Sequence, residues 1–483
     1  MTQAQTQAQT QNRARVVVVG SGVAGLTAAV SAAEVGAAVT VVERAPRADA
    51  GGNTRHTEAF LRMRSIDAVA DDFEERLLGD FMGHPDPALL VESLKDPGTW
   101  SAPLRALSVA DQQYVATLAE NAGPTLRWIE GHGVRFAHLA TPFLTTSTTR
   151  LMPVGGGLAL VEALTDAAVQ LGVDFHYETT ARALLLEGGS VVGVATSRGE
   201  TRGAVVLACG GYEGNAELMG RYHGRGGRHT RPVARGGHYN KGEGLLMALD
   251  AGAATAGDFA LFHAEPVDPR SGVAEAAIFA FPYGILVNAE GRRFTDEAPG
   301  PIDAWYERIA RRVHAQTDGV AYAIFDAGAS EVPNLSAAIR TDQPPITAPT
   351  LDGLAAKLEI PAEALAATVA EFNASCGQGE YLPLELDGLA TSGLTPPKSN
   401  WARPLDKGPY TAYPVIASNV FTFGGLKTDD AARVLDNDGR PLPGLYAAGE
   451  LTGLYYTNYT GSTSVLRGAV YGRIAGRGAA GGA

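Results

Sequence analysis

The feature that most constrains the fold is a glycine-rich turn between a buried strand and a helix, in ARVVVVGSGVAGLTAAVSAAEVGAAVTVVERA (residues 14–45). Val16 to Val19 form an apolar β-branched run, and apolar residues at helical spacing follow it. A second apolar run, Val39 to Val42, ends in Glu43. This order predicts a β-α-β unit whose two strands are parallel and buried.

Three glycines, Gly20, Gly22 and Gly25, stand where the first strand meets the helix. The first allows the turn, the second lets the backbone approach a pyrophosphate at the helix N-terminus, and the third lets helix and strand pack closely. Glu43 follows at the spacing typical of a carboxylate that accepts hydrogen bonds from ribose hydroxyls. The segment therefore predicts a dinucleotide-binding domain.

Three further segments favour FAD over NAD as the dinucleotide. The stretch 44–60 adds a Gly-Gly-Asn-Thr turn suited to a second phosphate or the ribityl chain. The stretches 204–215 and 443–453 are apolar strands that end in Ala-Cys-Gly-Gly and Ala-Gly-Glu, and open α/β sheets bind ligands at such strand ends. Cys209 is interpreted as a small packing residue beside the cofactor rather than a redox group. The predicted FAD-binding residues are Gly20, Gly22, Val23, Ala24, Gly25, Glu43, Arg44, Gly51, Gly52, Asn53, Thr54, Ala181, Ala208, Cys209, Gly210, Gly449, Glu450, Ser464 and Val465.

Composition narrows the class of protein further. With 483 residues, 45% of them apolar, the chain is long enough for two or three domains. A net charge of −13 without a basic block argues against a nucleic-acid partner, and two cysteines argue against a zinc site, a disulfide framework or an iron–sulfur cluster. The polar start, residues 1–13, predicts a disordered lead without a secretory signal, and no apolar run is long enough to span a membrane. We therefore expect a cytoplasmic protein without a metal.

Several ordered motifs carry a family resemblance. They are GSGVAG at 20–25, GGNT at 51–54, ACGG at 208–211, GILVNAEGRRFTDE at 284–297, FTFGGLKTDDAARVLD at 421–436 and GLYAAGE at 444–450. Together they resemble the FAD-dependent fumarate reductase and succinate dehydrogenase flavoprotein family. The GGNTRHT turn, HAEPVD at 263–268 and YTNYTGSTS at 456–464 look closest to the tricarballylate dehydrogenase branch, and the last of these also resembles the C-terminal turn of 3-ketosteroid dehydrogenases.

The resemblance implies an α/β fold in which a discontinuous, Rossmann-like FAD-binding domain carries an inserted α+β capping domain. On this basis we expect FAD-binding segments at 14–240 and 399–483 and the cap at 241–398. A return helix within 239–255 and two amphipathic helical patterns within 351–374 agree with that division. The substrate would lie between the two domains.

When the family's motifs are aligned with this sequence, only part of the fumarate reductase site is present. His263 falls on a family histidine, but Ile302 occupies the position of the proton-relay arginine. Phe421 replaces a second histidine, and Tyr459 replaces an arginine that grips a carboxylate. Loss of a positioned proton donor typically lowers a rate by about 10²–10⁴-fold. The resemblance therefore favours oxidation, the introduction of an α,β double bond into a carboxylate or ketone, over reduction of fumarate.

Four residues are candidates for the chemistry. Tyr459 aligns with a tyrosine that polarises the substrate carbonyl in ketosteroid dehydrogenases, and His263 is the candidate base or carboxylate ligand. Tyr283 and Tyr456 are secondary candidates, and a packing role stays open for all four. For substrate carboxylates the sequence offers Arg55, Arg270 and Arg467, whereas Arg293 is interpreted as structural.

The sequence leaves alternatives open for the mode of FAD attachment and for the direction of the reaction. Some relatives attach FAD to a histidine in the turn that contains His56, but alignment on Gly-Gly-Asn places Asn53 at that position, so we expect non-covalent FAD. A helix beginning near Ser464 and Val465 is expected to point its positive end at the flavin. The alternatives to a dehydrogenase are a reductase of an unsaturated carboxylate and a flavin-binding subunit without turnover. Oxygen, a quinone or a redox protein would accept the electrons.

Overall fold

The computed structural model describes residues 13–81, 92, 95–100, 112–138 and 150–481. Of the predicted disordered lead, all residues except Arg13 lie outside these ranges. The α-helices of the described ranges are α1 (Val23–Glu34), α2 (Phe73–Phe81), α3 (Gln112–Gly131), α4 (Gly156–Gln170), α5 (Ala216–His223), α6 (Glu243–Asp250), α7 (Ile302–His314), α8 (Leu351–Leu358), α9 (Ala362–Ser375) and α10 (Ser464–Ala479).

The strands of the same ranges form two large sheets and several small ones. They are β1 (Arg15–Val19), β2 (Ala38–Val42), β3 (Met63–Ser65), β4 (Ala68–Val69), β5 (Phe136–His138), β6 (Leu151–Pro153), β7 (Asp174–His176), β8 (Ala181–Glu187), β9 (Ser190–Thr196), β10 (Gly199–Arg202), β11 (Ala204–Leu207), β12 (Arg231–Pro232), β13 (Thr255–Ala256), β14 (Phe262–Val267), β15 (Ile285–Asn288), β16 (Val320–Phe325), β17 (Ile346–Ala348), β18 (Tyr410–Thr422), β19 (Gly425–Leu426), β20 (Arg433–Leu435) and β21 (Pro441–Ala447).

The first sheet is centred on β1 and has the order β20-β21-β11-β1-β2-β7. β1 runs parallel to both β2 and β11, and Val17 pairs with Thr40 on one side and Val205 on the other. The valines of β1 are buried because helices cover this sheet, which explains the continuous apolar run in the sequence. The predicted β-α-β unit is therefore confirmed. The strands predicted before ACGG and AGE are β11, which pairs with β1, and β21, which pairs with β11.

Helices α1 and α10 lie in close contact on this sheet. A Cβ added at Gly472 would lie 2.2 Å from the carbonyl oxygen of Ala24, and one added at Gly476 would lie 2.1 Å from that of Ala28. Glycine is required at both positions because the backbones of the two helices leave no room for a side chain. The last helix of the described chain thus supports the helix that follows the first glycine-rich turn.

The second sheet has the order β12-β18-β16-β15, and β14 and β17 also pair with β18. Helices α8 and α9 confirm the two helical patterns predicted within 351–374. The long strand β18 begins in this sheet, and its last residues, Val420 and Phe421, reach the cleft described below. β12 and β18 lie just outside 241–398, so the exact cap boundaries stay a prediction. None of the helices in the described ranges combines the length and the apolar composition that a bilayer span requires.

Candidate active site

A cleft with about 1370 Å³ of empty space lies at the carboxyl ends of β1, β2, β11 and β21. Parallel strands end at one edge of a sheet, so the turns after them meet there, as ligand sites of open α/β sheets require. Seventeen of the predicted FAD-binding residues line this cleft: Gly20, Gly22, Val23, Ala24, Glu43, Arg44, Gly52, Asn53, Thr54, Ala181, Ala208, Cys209, Gly210, Gly449, Glu450, Ser464 and Val465.

The other two predicted FAD-binding residues, Gly25 and Gly51, lie behind the cleft wall. A Cβ added at Gly25 would lie 2.0 Å from the carbonyl oxygen of Gly20, which is the close packing predicted for the third glycine of the turn. Gly51 has φ 116°, and a Cβ there would lie 2.9 Å from Val161. Both glycines therefore shape the cleft and do not line it.

The first turn of α1 faces the cleft with backbone donors. Val23 N donates to Thr54 Oγ1 at 3.1 Å, whereas the N-cap residue Gly22 has no side chain to bind the next amides, which are therefore available to an anion. Glu43 accepts hydrogen bonds from Ser21 N at 2.9 Å, Ser21 Oγ at 2.6 Å and Ala45 N at 2.7 Å. A carboxylate has about four lone-pair positions, so Glu43 retains acceptor capacity for a hydroxyl of the ligand.

Two carboxyl groups meet at the inner wall of the cleft. Glu213 is buried, Glu450 lines the cleft, and Asn240 Nδ2 donates to Glu213 Oε1 at 2.7 Å and to Glu450 Oε2 at 3.2 Å. Burial raises the pKa of Glu213, and the negative charge of Glu450 raises it further. Burial also raises the pKa of Glu450. Because two carboxylates in a dry site do not both ionise readily, we expect the pair to hold one proton to a higher pH than either acid would alone.

Other predicted cofactor residues are held by contacts within the protein. Arg44 forms an ion pair with Glu243, and Asn53 Nδ2 donates to Glu213 Oε1 at 3.0 Å. Burial, aided by Glu243, raises the pKa of the Cys209 thiol to about 12, so it stays uncharged and fits the predicted packing role. Both Asn53 and His56 line the cleft, and non-covalent attachment of FAD stays a prediction.

The predicted residue Tyr459 lies at the N-terminus of α10 with its hydroxyl fully engaged. Its Oη accepts hydrogen bonds from Thr463 N at 3.0 Å and Ser464 N at 3.1 Å, and donates to Ser464 Oγ at 3.1 Å. The helix begins at Ser464, as predicted. The amides of Thr463 and Ser464 donate to Tyr459, while Ser464 and Val465 line the cleft. The expectation that the first amides of the helix face the flavin stays a prediction.

His263 packs directly against Tyr459, with 4.3 Å between the ring centroids, and both rings contact Phe421 of the cleft wall. His263 Nδ1 is 2.9 Å from Glu307 Oε2, and His263 Nε2 is 3.1 Å from Tyr306 Oη. The other oxygen of Glu307 forms an ion pair with Arg311 at 2.6 Å. Neither Tyr306 nor Glu307 was predicted from the sequence. The signal for Glu307 was a carboxylate on the otherwise apolar face of α7.

The two secondary tyrosine candidates are placed apart from this group. Tyr283 is buried in the core of the second sheet, and its hydroxyl donates to the carbonyl of Pro383 at 2.6 Å. The Tyr456 hydroxyl accepts from Gly257 N at 2.7 Å. Neither residue lines the cleft, and both hydroxyls are engaged with the backbone, so a packing role is favoured and their place beside the flavin stays a prediction.

The candidate arginines differ in the hydrogen bonds and ion pairs that they make with other residues of the protein. Arg270 makes a two-point contact with Asp268, at 3.0 and 2.7 Å, and Arg293 makes a similar contact with Glu297. Arg467 lines the cleft, is 2% exposed and donates to Thr452 O at 3.0 Å. Arg55 contacts the carbonyl of Ala50 at 3.5 Å and does not line the cleft.

A further arginine, Arg150, was not predicted from the sequence. It pairs with Asp303 at 3.0 Å, its side chain is 12% exposed, and its Nε has no partner among the described residues. A partly buried cation with spare hydrogen-bonding capacity could hold an anion, but no sequence motif marked it.

The residues present fit FAD. Backbone amides at the start of α1, the acceptor Glu43 and the polar side chains of Asn53 and Glu450 line one continuous cleft. Asn53 Oδ1 and Arg467 Nε are buried there without partners among the described residues, as expected of groups that bind a polar ligand.

Comparison with known proteins agrees with this geometry. The model of the FAD binding domain family matches residues 99–466, and that of the FAD dependent oxidoreductase family matches residues 15–120. The chain is 28% identical over 487 residues to a fumarate reductase (cytochrome) of Shewanella frigidimarina, covering 96% of this chain and 76% of the relative. It is 32% identical over 350 residues to 4-oxocyclohexanecarboxylate 2-dehydrogenase of Sinomonas cyclohexanicum, and the match covers 65% of this chain and 58% of that relative.

A solved structure gives a similar result. The 3-ketosteroid-delta4-(5alpha)-dehydrogenase from Rhodococcus jostii RHA1, in complex with 4-androstene-3,17-dione, superimposes with a TM-score of 0.67 at 26% identity. The match covers 97% of this chain and 96% of that one. The relatives thus include both a reductase and two dehydrogenases.

Proposed function

Because the chain belongs to the FAD binding domain family and is an FAD-dependent oxidoreductase, we propose that it removes hydrogen from two adjacent carbons of a carboxylate or ketone and so introduces an α,β double bond. The predicted family, fold class and cofactor are confirmed by the same comparisons. The substrate and the direction of the reaction are proposed. The likeness to the tricarballylate dehydrogenase branch is proposed as well.

The observation that carries the proposal is the hydrogen bonding of Tyr459. Its phenol oxygen accepts from two amides at the N-terminus of α10. Hydrogen bonds in a chain polarise one another, so a phenol that accepts two N–H bonds is a stronger O–H donor. A neutral donor of this kind suits the carbonyl oxygen of a ketone or acid as negative charge develops on it during proton loss. The hydroxyl would exchange its bond to Ser464 Oγ for one to the substrate.

The remaining roles follow from position. When bound in the cleft, FAD supplies the acceptor for the hydride. The chain itself holds the substrate, polarises its carbonyl and takes the proton. The group around His263 is placed for proton transfer, because it contacts both Tyr459 and Phe421 at the end of the cleft. Ile302, at the position of the relay arginine in fumarate reductases, is 3% exposed in an apolar core and supplies no proton.

A second candidate function is reduction of an unsaturated carboxylate. It is favoured by the partly buried Arg150, whose Nε has no partner within the described part of the chain and could hold a carboxylate. The fumarate reductase relative points in the same direction. Oxygen, a quinone or a separate redox protein would accept electrons from the dehydrogenase or supply them to the reductase, in the cytoplasm.

Anaerobic mixing decides between the two directions. The oxidised holoenzyme is mixed with a panel of saturated carboxylates, tricarballylate included, and cyclic ketones, while flavin absorbance is followed and the product is analysed for loss of two hydrogens. The proposal expects bleaching by at least one compound. The chemically reduced enzyme is mixed with the matching unsaturated compounds. Rapid reoxidation without any bleaching in the first experiment would establish the reductase instead.

A further inference from the structure

The inference concerns the route by which a substrate proton enters the protein, and it rests on the proposed function. His263 is 3% exposed, and both of its ring nitrogens are already engaged within the protein. A base must come within hydrogen-bond distance of the proton that it takes, directly or through one further group. His263 therefore cannot contact a substrate unless one of its two partners moves away.

The two partners fix the tautomer of the imidazole. Glu307 forms an ion pair with Arg311, and a carboxylate in such a pair only accepts hydrogen bonds. Neutral His263 must therefore carry its proton on Nδ1, facing Glu307 Oε2 at 2.9 Å. The lone pair on Nε2 then accepts the hydroxyl proton of Tyr306 at 3.1 Å. The order Glu307, His263, Tyr306 is thus a directed chain of hydrogen bonds.

We propose that Tyr306 is the residue that takes the substrate proton, with His263 as the second carrier and Glu307 as a positioning residue. Tyr306 is the last member of this chain of hydrogen bonds and is less buried than His263 and Glu307. In the step, the Cα–H bond breaks and its proton forms a new O–H bond at Tyr306 Oη. The former hydroxyl proton of Tyr306 moves to His263 Nε2. The C–H electron pair passes into an enolate, whose oxygen Tyr459 would hold. FAD bound in the cleft would supply the acceptor for the hydride that then leaves the neighbouring carbon, so that charge and electrons balance.

The surroundings of Tyr306 favour this concerted transfer over a standing tyrosinate. Burial raises the pKa of Tyr306 well above its usual value, and the nearby carboxylates Glu265 and Glu307 raise it further. Only Arg150 among the contributing groups acts in the opposite direction. Because an isolated phenolate is costly there, the hydroxyl must give up its own proton as it receives another. The positive charge comes to rest on His263 beside the Glu307 carboxylate, which stabilises it.

The first test isolates proton transfer from hydride transfer. A saturated substrate found by flavin bleaching is incubated in D₂O with holoenzyme whose flavin is kept chemically reduced, and loss of the α-proton signal is followed by ¹H NMR. We expect wild-type exchange, and a decrease of about 10²–10⁴-fold in Tyr306→Phe and His263→Gln. Tyr322→Phe is the matched control, because it removes a similar hydroxyl bond to the carbonyl of Leu358 in the second sheet. Exchange at the wild-type rate in Tyr306→Phe would overturn the proposal.

The second test needs no turnover. In holoenzyme labelled with [¹⁵N]histidine, with His263→Gln used for assignment, we expect His263 as the Nδ1–H tautomer. In Tyr306→Phe we expect a shift of its Nε2 resonance, and in Glu307→Gln a partial redistribution of tautomers. An Nε2–H tautomer in the wild type would refute the directed chain. If no compound bleaches the flavin, the proposed function fails, while this measurement still decides whether His263 is engaged at both nitrogens.

Discussion

At the residue scale, the hydroxyl of Tyr459 is the clearest determinant of the chemistry. We predict that Tyr459→Phe lowers the rate of anaerobic flavin bleaching by about 10²–10³-fold, the usual cost of removing one donor to a developing oxyanion. FAD content should stay unchanged, because the tyrosine does not line the cleft. Stopped-flow absorbance on wild type, Tyr459→Phe and Tyr322→Phe checks this. Bleaching of Tyr459→Phe at the wild-type rate would assign Tyr459 a packing role.

The paired carboxyls Glu213 and Glu450 give a second residue-scale prediction. Burial raises the pKa of both, so rising pH forces a second negative charge into the wall of the cleft. We expect the wild type to retain FAD less well at pH 9 than at pH 6, and Glu213→Gln to retain it with less dependence on pH. Fluorescence of FAD released during gel filtration measures this. Equal dependence on pH in both proteins would show that the pair does not hold the proton.

At the element scale, the approach of α10 to α1 controls the cofactor turn. We predict that Gly472→Ala lowers the free energy of unfolding by about 1–3 kcal/mol, since the new Cβ would lie 2.2 Å from Ala24 O. FAD content should fall as well, because α1 carries the pyrophosphate site. The control is Gly220→Ala in α5, where nothing lies within 4 Å, and where alanine should stabilise the helix. Urea unfolding of both variants compares them; equal stabilities would contradict the prediction.

Local elements could be predicted from the sequence because their signals are local. The valine runs of β1 and β2 and the glycines between them are contiguous, and the apolar periods of α8 and α9 need no distant partner. The proton-transfer group could not be predicted in the same way. Glu307 lies 44 residues from His263, and only the packing of α7 against β14 brings them together. Glu450 was predicted from its motif, but its partner Glu213 had no signal of its own.

At the scale of the whole molecule, buried acids set the dependence of stability on pH. Burial and the charges of other glutamates raise the pKa of Glu265 to about 8 and of Glu275 to about 7, against 4.5 when unfolded. Between these values the folded chain binds more protons than the unfolded chain, so stability decreases as pH rises from 4.5 to about 8. We predict a lower melting temperature at pH 8 than at pH 6 and a smaller difference in Glu265→Gln. Glu290→Gln, at an exposed contact with Thr317, is the control. A flat profile in the wild type would contradict this.

Helix α1 makes its most extensive contacts with α10, so the order in which the two helices are synthesised affects when α1 is fully packed. Domains commonly fold as they leave the ribosome, starting from the N-terminus. Here β1 and the glycine turn emerge early, but β21 and α10 come from residues 441–479. The helix that supports the pyrophosphate turn is therefore synthesised only after almost the whole chain. FAD capture should thus be a late event in biogenesis, and a chain truncated before α10 should emerge as a nascent apoprotein that cannot load its cofactor.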